Sequence, residues 1–452
     1  MIEATFLNLD NQAQRRQIFG WSMYDWANSA FSSIVVTTLL GPYLTSLSEK
    51  NGGVLVGAFT LEPAAFFPMC VSVSVVLQVV LLPLVGAMAD SLHLKKKLLV
   101  LFALVGSLAT VLLYLVRSDL DAKELNNIIL MGGLLFVIAN LAFGASVVLC
   151  NAFLPDIASP QERDKVSSLG WALGYLGGGV ALAISLGIFH YIDDHELAVR
   201  FGLALAGSWW LVFTLLFPAR FLPDSGSLRG IFQDGPCLIQ GMRQILWTLK
   251  SMCHNYPETL KFLVAYLVYN DGIQTVITVA TLFASMELGA NSHQLVMLIL
   301  MIQFVAFFGS LLFGWLAGRI GAKRSIAMSL VVWAAITVHA FWLLKNIGEL
   351  FMLGVAVAVV LGGSQALSRS LFSQLIPRKN ESEFFAFYEI SERGTSWIGP
   401  LIFAMAVQLT GNTRIAILSL LVFFIIGLLL LGKVNVRRGM KDAGNSVNGV
   451  VI

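Results

Sequence analysis

The sequence predicts an all-α membrane protein of twelve transmembrane helices, arranged as two pseudo-symmetric six-helix bundles. Three observations point there. The 452-residue chain is 57% hydrophobic and only 12% charged, where a soluble domain carries about 25% charged residues. Apolar runs of about 18 residues or more recur from end to end, each able to cross about 30 Å of hydrocarbon as a helix. Short motifs in the first half return at matching places in the second. Strand-like alternation of the barrel type is absent, so helices must satisfy the backbone in lipid.

In chain order, the first bundle (1–217) holds spans 20–46, 69–89, 98–116, 128–150, 166–190 and 198–217. A cytoplasmic linker is expected over 218–257. Within it Leu238, Ile239, Met242, Ile245, Leu246 and Leu249 fall at helical spacing opposite Gln240, Arg243, Gln244 and Lys250. That pattern suits an amphipathic helix lying on the membrane surface. The second bundle with its tail (258–452) holds spans 260–284, 294–317, 325–344, 348–375, 384–409 and 412–433. With both termini on one side, twenty basic residues fall in segments on that side and six on the other. The bias predicts cytoplasmic termini. The net charge of +3 reflects that rule and is no nucleic-acid footprint.

The first apolar run is too long for a cleavable signal peptide and carries Asp25. Cys70, Cys150, Cys237 and Cys253 show no CxxC spacing, so neither a disulfide framework nor a zinc site is expected.

The halves repeat weakly. Gly86-Ala87-Met88-Ala89-Asp90, followed by Lys95 and Lys96, aligns with Gly314-Trp315-Leu316-Ala317-Gly318, followed by Lys323 and Arg324, at an offset of 228. Leu154-Pro155 and Gly177 align with Ile376-Pro377 and Gly399 at an offset of 222. Two parallel six-helix halves, each basic after its second helix, mark alternating-access carriers. The first copy resembles the loop signature of the major facilitator superfamily, G-x-x-x-D-(R/K)-x-G-(R/K)-(R/K). It departs at Ser91, where a basic residue is usual, and at His93, where glycine is usual. The second copy has Gly318 for the acid and retains Arg319, Gly321 and Lys323. YDWANSAF at 24–31, LPDIASPQERDKVSSLGWALGYLGG at 154–178 and FLVAYLVYNDGIQT at 262–275 narrow the resemblance. Together they look like the vacuole effluxer family, the autophagy-related permease branch of that superfamily, over essentially the whole chain.

Two acids stand inside membrane-length runs. Asp25 lies nine residues beyond Arg16, and Asp271 ten beyond Lys261. At 1.5 Å per residue each sits roughly 14 Å deep, near mid-membrane. An ionised carboxylate there costs roughly 2.5 to 3.5 kcal/mol on insertion scales. The resemblance implies that spans 1 and 7 face each other across a central cavity. Asp25 and Asp271, with Tyr24, Asn28, Tyr269, Asn270 and Gln274, then line a solute site or carry a coupling proton. Alternatively each acid bonds to neighbouring Trp, Tyr or Asn groups and fixes helix packing.

Arg369 in span 10 is a third buried charge and follows Gly362-Gly363-Ser364-Gln365. The resemblance places span 10 on the cavity, and a guanidinium can clamp a carboxylate bidentately. Gln365 and Arg369 therefore join the expected pathway, or Arg369 simply pairs with an acid. Glu389 and Arg393, at i, i+4, can pair along one helix face. The superfamily's loop acid commonly meets a basic residue in span 11. The resemblance therefore implies a rival gate, Asp90 with Arg393, flanked by Lys95 and Arg319. Gly170, Gly174, Gly177 and Gly178 read as close-packing positions.

An enzyme is not expected. The six histidines are scattered, and no HExxH or GxSxG occurs. Gly427 to Lys433 mimics a phosphate loop, but Val434 replaces the hydroxyl residue and the run ends an all-leucine span. The expectation is a monomeric carrier in the lipid bilayer, without a cofactor. It would move a small-molecule solute, with protons as the coupling ion. The resemblance implies amino-acid efflux. A sugar, nucleoside or drug-like solute, or a non-transporting sensor on a carrier scaffold, is the alternative.

Overall fold

The computed structural model describes residues 12–224, 248–378, 380–393 and 398–452. The amphipathic stretch foreseen at 238–249, up to residue 247, and Cys237 lie outside them. Among the described residues, eleven helices are long and apolar enough to cross a membrane. The first combines α1 (Gln12–Ala30), a π-helical stretch Phe31–Leu39 and α2 (Leu40–Lys50). There follow α3 (Pro63–Ser91), α4 (Lys95–Leu112), α5 (Ala122–Asn151), α6 (Arg163–Tyr191) and α7 (His195–Leu216). Then come α8 (Pro257–Leu288), α9 (Ser292–Ile320), α10 (Ala322–Trp342) and α11 (Ile347–Leu375). The run expected at 384–409 is described as two shorter helices, α12 (Glu381–Arg393) and α13 (Ile398–Thr410). The last span is α14 (Thr413–Ser419) with α15 (Leu421–Gly432), ahead of a tail helix α16 (Val436–Asp442).

The local chemistry explains several of these boundaries. In the π-helical stretch, the hydroxyls of Thr37 and Thr38 donate to the carbonyls of Ser32 and Ser33, five residues back, at 2.8 and 2.7 Å. Five is the spacing a π-turn brings into register. Asn291 and Gln294 form a reciprocal capping box at the start of α9. Between α2 and α3 a small hairpin, β1 (Val54–Val56) with β2 (Phe59–Leu61), turns through Gly57 at φ +62. No strand was expected there. The two copies of the loop motif share a positive φ at the equivalent position. Gly321 adopts φ +91, and His93, its counterpart, is held at φ +55, a region that favours glycine.

Both described ends of the chain meet on one face. Gln14 donates to the Ile157 carbonyl at 3.1 Å, and Gln161 donates to the Asn448 carbonyl at 2.5 Å. Asn445 donates to the carbonyls of Gln374 and Ile376. This terminal face also carries the Lys95 and Lys323 loops. Around the bundle, side chains such as Leu134, Phe308, Met352 and Leu409 are exposed, an apolar exterior that suits contact with lipid.

Candidate functional site

At the terminal face, Asp90 ends α3 and accepts from the backbone N–H groups of Ser382 and Glu383 at 3.2 and 2.9 Å. It therefore caps the N-terminus of α12, where unpaired N–H groups and the helix dipole favour an anion. Lys95 bridges Glu381 at 3.0 Å and Asp156 at 3.1 Å, and reaches Asp90 at 3.9 Å. Gly86 permits the contact, since a Cβ there would lie 2.6 Å from the Ser382 carbonyl oxygen. Thr248 donates to Glu383 from the stretch before α8. A cleft of about 550 Å³ opens beside this cluster, lined by Asp90, His93, Lys95, Asp156 and Glu381 among others.

The expected Asp90–Arg393 latch is not formed. Arg393 closes α12 at its far end, about 18 Å along the axis from Glu381, and its Nε donates to Glu389 at 3.2 Å. The local i, i+4 pair wins because Asp90 is taken by the helix N-terminus. Arg319 also departs from expectation, lying exposed with its guanidinium 3.9 Å over the Trp315 ring of its own helix. In that second motif Lys323 donates to the carbonyls of Gly432 and Val434, capping the end of α15.

Deeper in, Asp25 on α1 and Arg369 on α11 form an ion pair of 2.9 Å. Every guanidinium nitrogen of Arg369 is engaged. Its Nε donates to the Ser167 hydroxyl, one terminal nitrogen to the Ser167 carbonyl, and the other to Asp25 and to Asn151 Oδ1. Trp21 lies 4.6 Å and Trp171 5.5 Å from the cation. Asn151 in turn donates to Glu389 at 2.8 Å. Gly170 is shaped to this pair, since a Cβ there would stand 2.5 Å from Asp25 Oδ2 and 2.8 Å from Arg369. Below it, Arg163 is fully buried and donates to the Ser373 carbonyl, and Asp164 accepts from Ser370 and Gln374. Above it, Tyr175 donates to Gln365, and Gln303 donates to Ser33 at 2.7 Å.

The remaining expected residues divide. Asn28 is buried one turn beyond Asp25. Tyr24 is fully buried on the side of Ser146 and Trp210. It faces its own bundle because adjacent residues differ by about 100° around a helix. Tyr269 meets Ser368 at 2.6 Å, and Asn270 donates to the Glu392 carbonyl. Asp271 stands about 200° from Tyr269 on α8. It is 1% exposed, and the donor beside its carboxylate is the backbone N–H of Gly399 on α13, not Arg369. Neighbouring Gly272 packs on Phe423 and Phe424. The expected meeting of Asp271 with Asp25 and Arg369 does not occur, because Tyr269 takes the α11-facing side of the helix. Gln274 is half-buried. Asn151, Ser167 and Trp21 were not foreseen. Asn151 and Ser167 are ordinary polar residues whose importance lies wholly in what they touch.

The description "vacuole effluxer Atg22 like" matches residues 13–444. The chain belongs to that family. It is 30% identical over 425 residues to the MFS-type transporter YxiO of Bacillus subtilis (strain 168), covering 93% of this chain and 95% of that one. It is 27% identical over 490 residues to autophagy-related protein 22 of Eremothecium gossypii, covering 96% and 94%. Among solved structures it resembles the proton:xylose symporter XylE, with a TM-score of 0.67 at 11% identity over 93% of this chain and 94% of that one. A bacterial homologue of the iron transporter ferroportin, in an outward-facing state with soaked iron, gives 0.64 at 15% identity over 93% and 98%. The fold is that of the major facilitator superfamily. This vacuole effluxer family member is thus an integral multi-pass membrane transporter.

Proposed function

We propose that this family member is a secondary active carrier that moves a small solute by alternating access. Its two six-helix bundles (1–217 and 258–452) would rock about the mid-membrane site, joined by the linker 218–257. The single observation that supports this most is the Asp25–Arg369 pair. It joins α1 to α11 at mid-membrane depth, with polar contacts between early and late helices below it and partly exposed side chains above it. A costly pair of charges in lipid is accounted for where a path must open and close. The terminal face, closed in this conformation, is turned to the cytoplasm of a bacterial inner membrane, as the basic-residue bias requires. The solute is an amino acid or a related small molecule and leaves the cell. The family's effluxer description and a site holding both acids and arginines support this reading. Asp25 carries the coupling proton, and the carrier works as a monomer.

Proteoliposomes containing the full chain test this. With an imposed pH gradient, the wild type should drive labelled amino acids across the membrane and Asp25→Asn should fall to background. pH-driven flux that survives in Asp25→Asn removes that residue as the proton carrier.

A further inference from the structure

One unbroken chain of hydrogen-bonded side chains crosses the molecule at mid-depth. From Asp25 it passes to Arg369, from Arg369 to Asn151, from Asn151 to Glu389, and from Glu389 to Arg393. The two arginines differ in access. Arg369 is 3% exposed, with all three nitrogens engaged. Arg393 is 21% exposed and is tethered to Glu389 through Nε alone. Its guanidinium lies 4.6 Å over the ring of Phe143, which packs with Phe31 and Trp210 inside the first bundle. This cation therefore faces the interior of the protein rather than lipid. Its two terminal nitrogens have no acceptor among the described residues, and neither is a buried atom lacking a partner. A guanidinium backed by an aromatic face, held by one nitrogen and open along its other edge, is built to take a carboxylate bidentately.

We propose that Arg393, and not Arg369, anchors the anionic end of a carboxylate-bearing solute, and that Asn151 relays its occupancy to the Asp25–Arg369 bridge. This rests on the carrier function above and names the solute class for it. A solute carboxylate at Arg393 competes with Glu389 for the same cation. Glu389 then leans on its other donor, the Asn151 amide. That amide already holds Arg369 through Oδ1 while donating to Glu389 through Nδ2. It cannot turn to follow one partner without loosening the other. Arg393 contacts solute, and Asn151 acts as a positioning residue.

The test uses proteoliposomes of the full chain and counterflow of leucine, glutamate and lysine, their carboxamide analogues, glucose and uridine. The acids should move and the amides should not. Arg393→Gln should raise the half-saturation concentration of the acids roughly 10- to 100-fold, the scale of a lost hydrogen bond to a charged group, with Arg393→Lys intermediate. Asn151→Ala should lower the maximal rate and leave half-saturation near wild type. Amides carried as well as acids, or unchanged half-saturation in Arg393→Gln, overturn the anchor. If Arg393→Gln fails to fold by tryptophan-fluorescence melting, Arg393→Lys decides on the same criterion. Movement of glucose or uridine without the acids leaves the carrier function standing and overturns the anchor. No movement of any solute overturns both.

Discussion

Arg369 and Arg393 sit on successive helices at similar depth, yet one is sealed among partners and the other faces the interior with an open edge. Their side chains could not be ranked from the sequence, because exposure at mid-membrane depends on which helix lies opposite. The sealed pair makes two predictions. Arg369→Gln leaves Asp25 without its countercharge, and breaking a buried pair from one side costs about 3–5 kcal/mol. Thermal melting in detergent should show that loss largely restored in the double variant Asp25→Asn with Arg369→Gln. A double variant no more stable than Arg369→Gln alone would mean the charges are not compensating each other. Gly170→Ala places a methyl group against Asp25 and Arg369, an overpacking that costs about 1–3 kcal/mol. Its melting temperature should fall, and transport should fall with it.

At the scale of elements, α12 is held at both ends by chemistry that its sequence only half discloses. Glu389 and Arg393 were legible as an i, i+4 pair, whereas the capping of Ser382 and Glu383 by Asp90 joins positions almost 300 residues apart in the chain. Losing a cap of this kind costs about 0.5–2 kcal/mol. Asp90→Ala should therefore loosen the contact between α3 and α12. Cys150 reports on it, being buried in the described conformation with its carbonyl accepting from Trp21. Maleimide labelling of Cys150, followed by mass spectrometry, should speed up roughly 2- to 30-fold in Asp90→Ala. An unchanged rate would show that the cap does not hold the closed state. The π-helical stretch between α1 and α2 was invisible beforehand; its i→i+5 register brings the Thr37 and Thr38 hydroxyls to carbonyls five residues back, a contact no local pattern announces.

Taken as a whole, the molecule is tied across its terminal face by its own tail. Gln161, in the turn before α6, donates to the Asn448 carbonyl. Asn445 donates to the end of α11, and Gly321 packs on Val451 and Ile452. Removing residues 445–452 severs ties to both bundles at once. The melting temperature should drop and Cys150 labelling should rise. A truncated chain with wild-type melting and labelling would reduce the tail to a passive extension.

The sequence by itself determined the class of protein, the places of eleven of its expected membrane runs among the described residues, the side bias of its basic residues and the repeated loop motif. These depend on composition, run length and spacing, which are local quantities set by the thickness of the bilayer and the period of a helix. It also located Asp25, Asp271 and Arg369 as charges that lipid does not tolerate cheaply. Which of those charges meet was decided only by tertiary structure. A single residue step turns a side chain about 100°, enough to bury Tyr24 in its own bundle and to send Asp271 away from the pair that Asp25 and Arg369 form. Packing of distant helices set the rotation, and with it the partners.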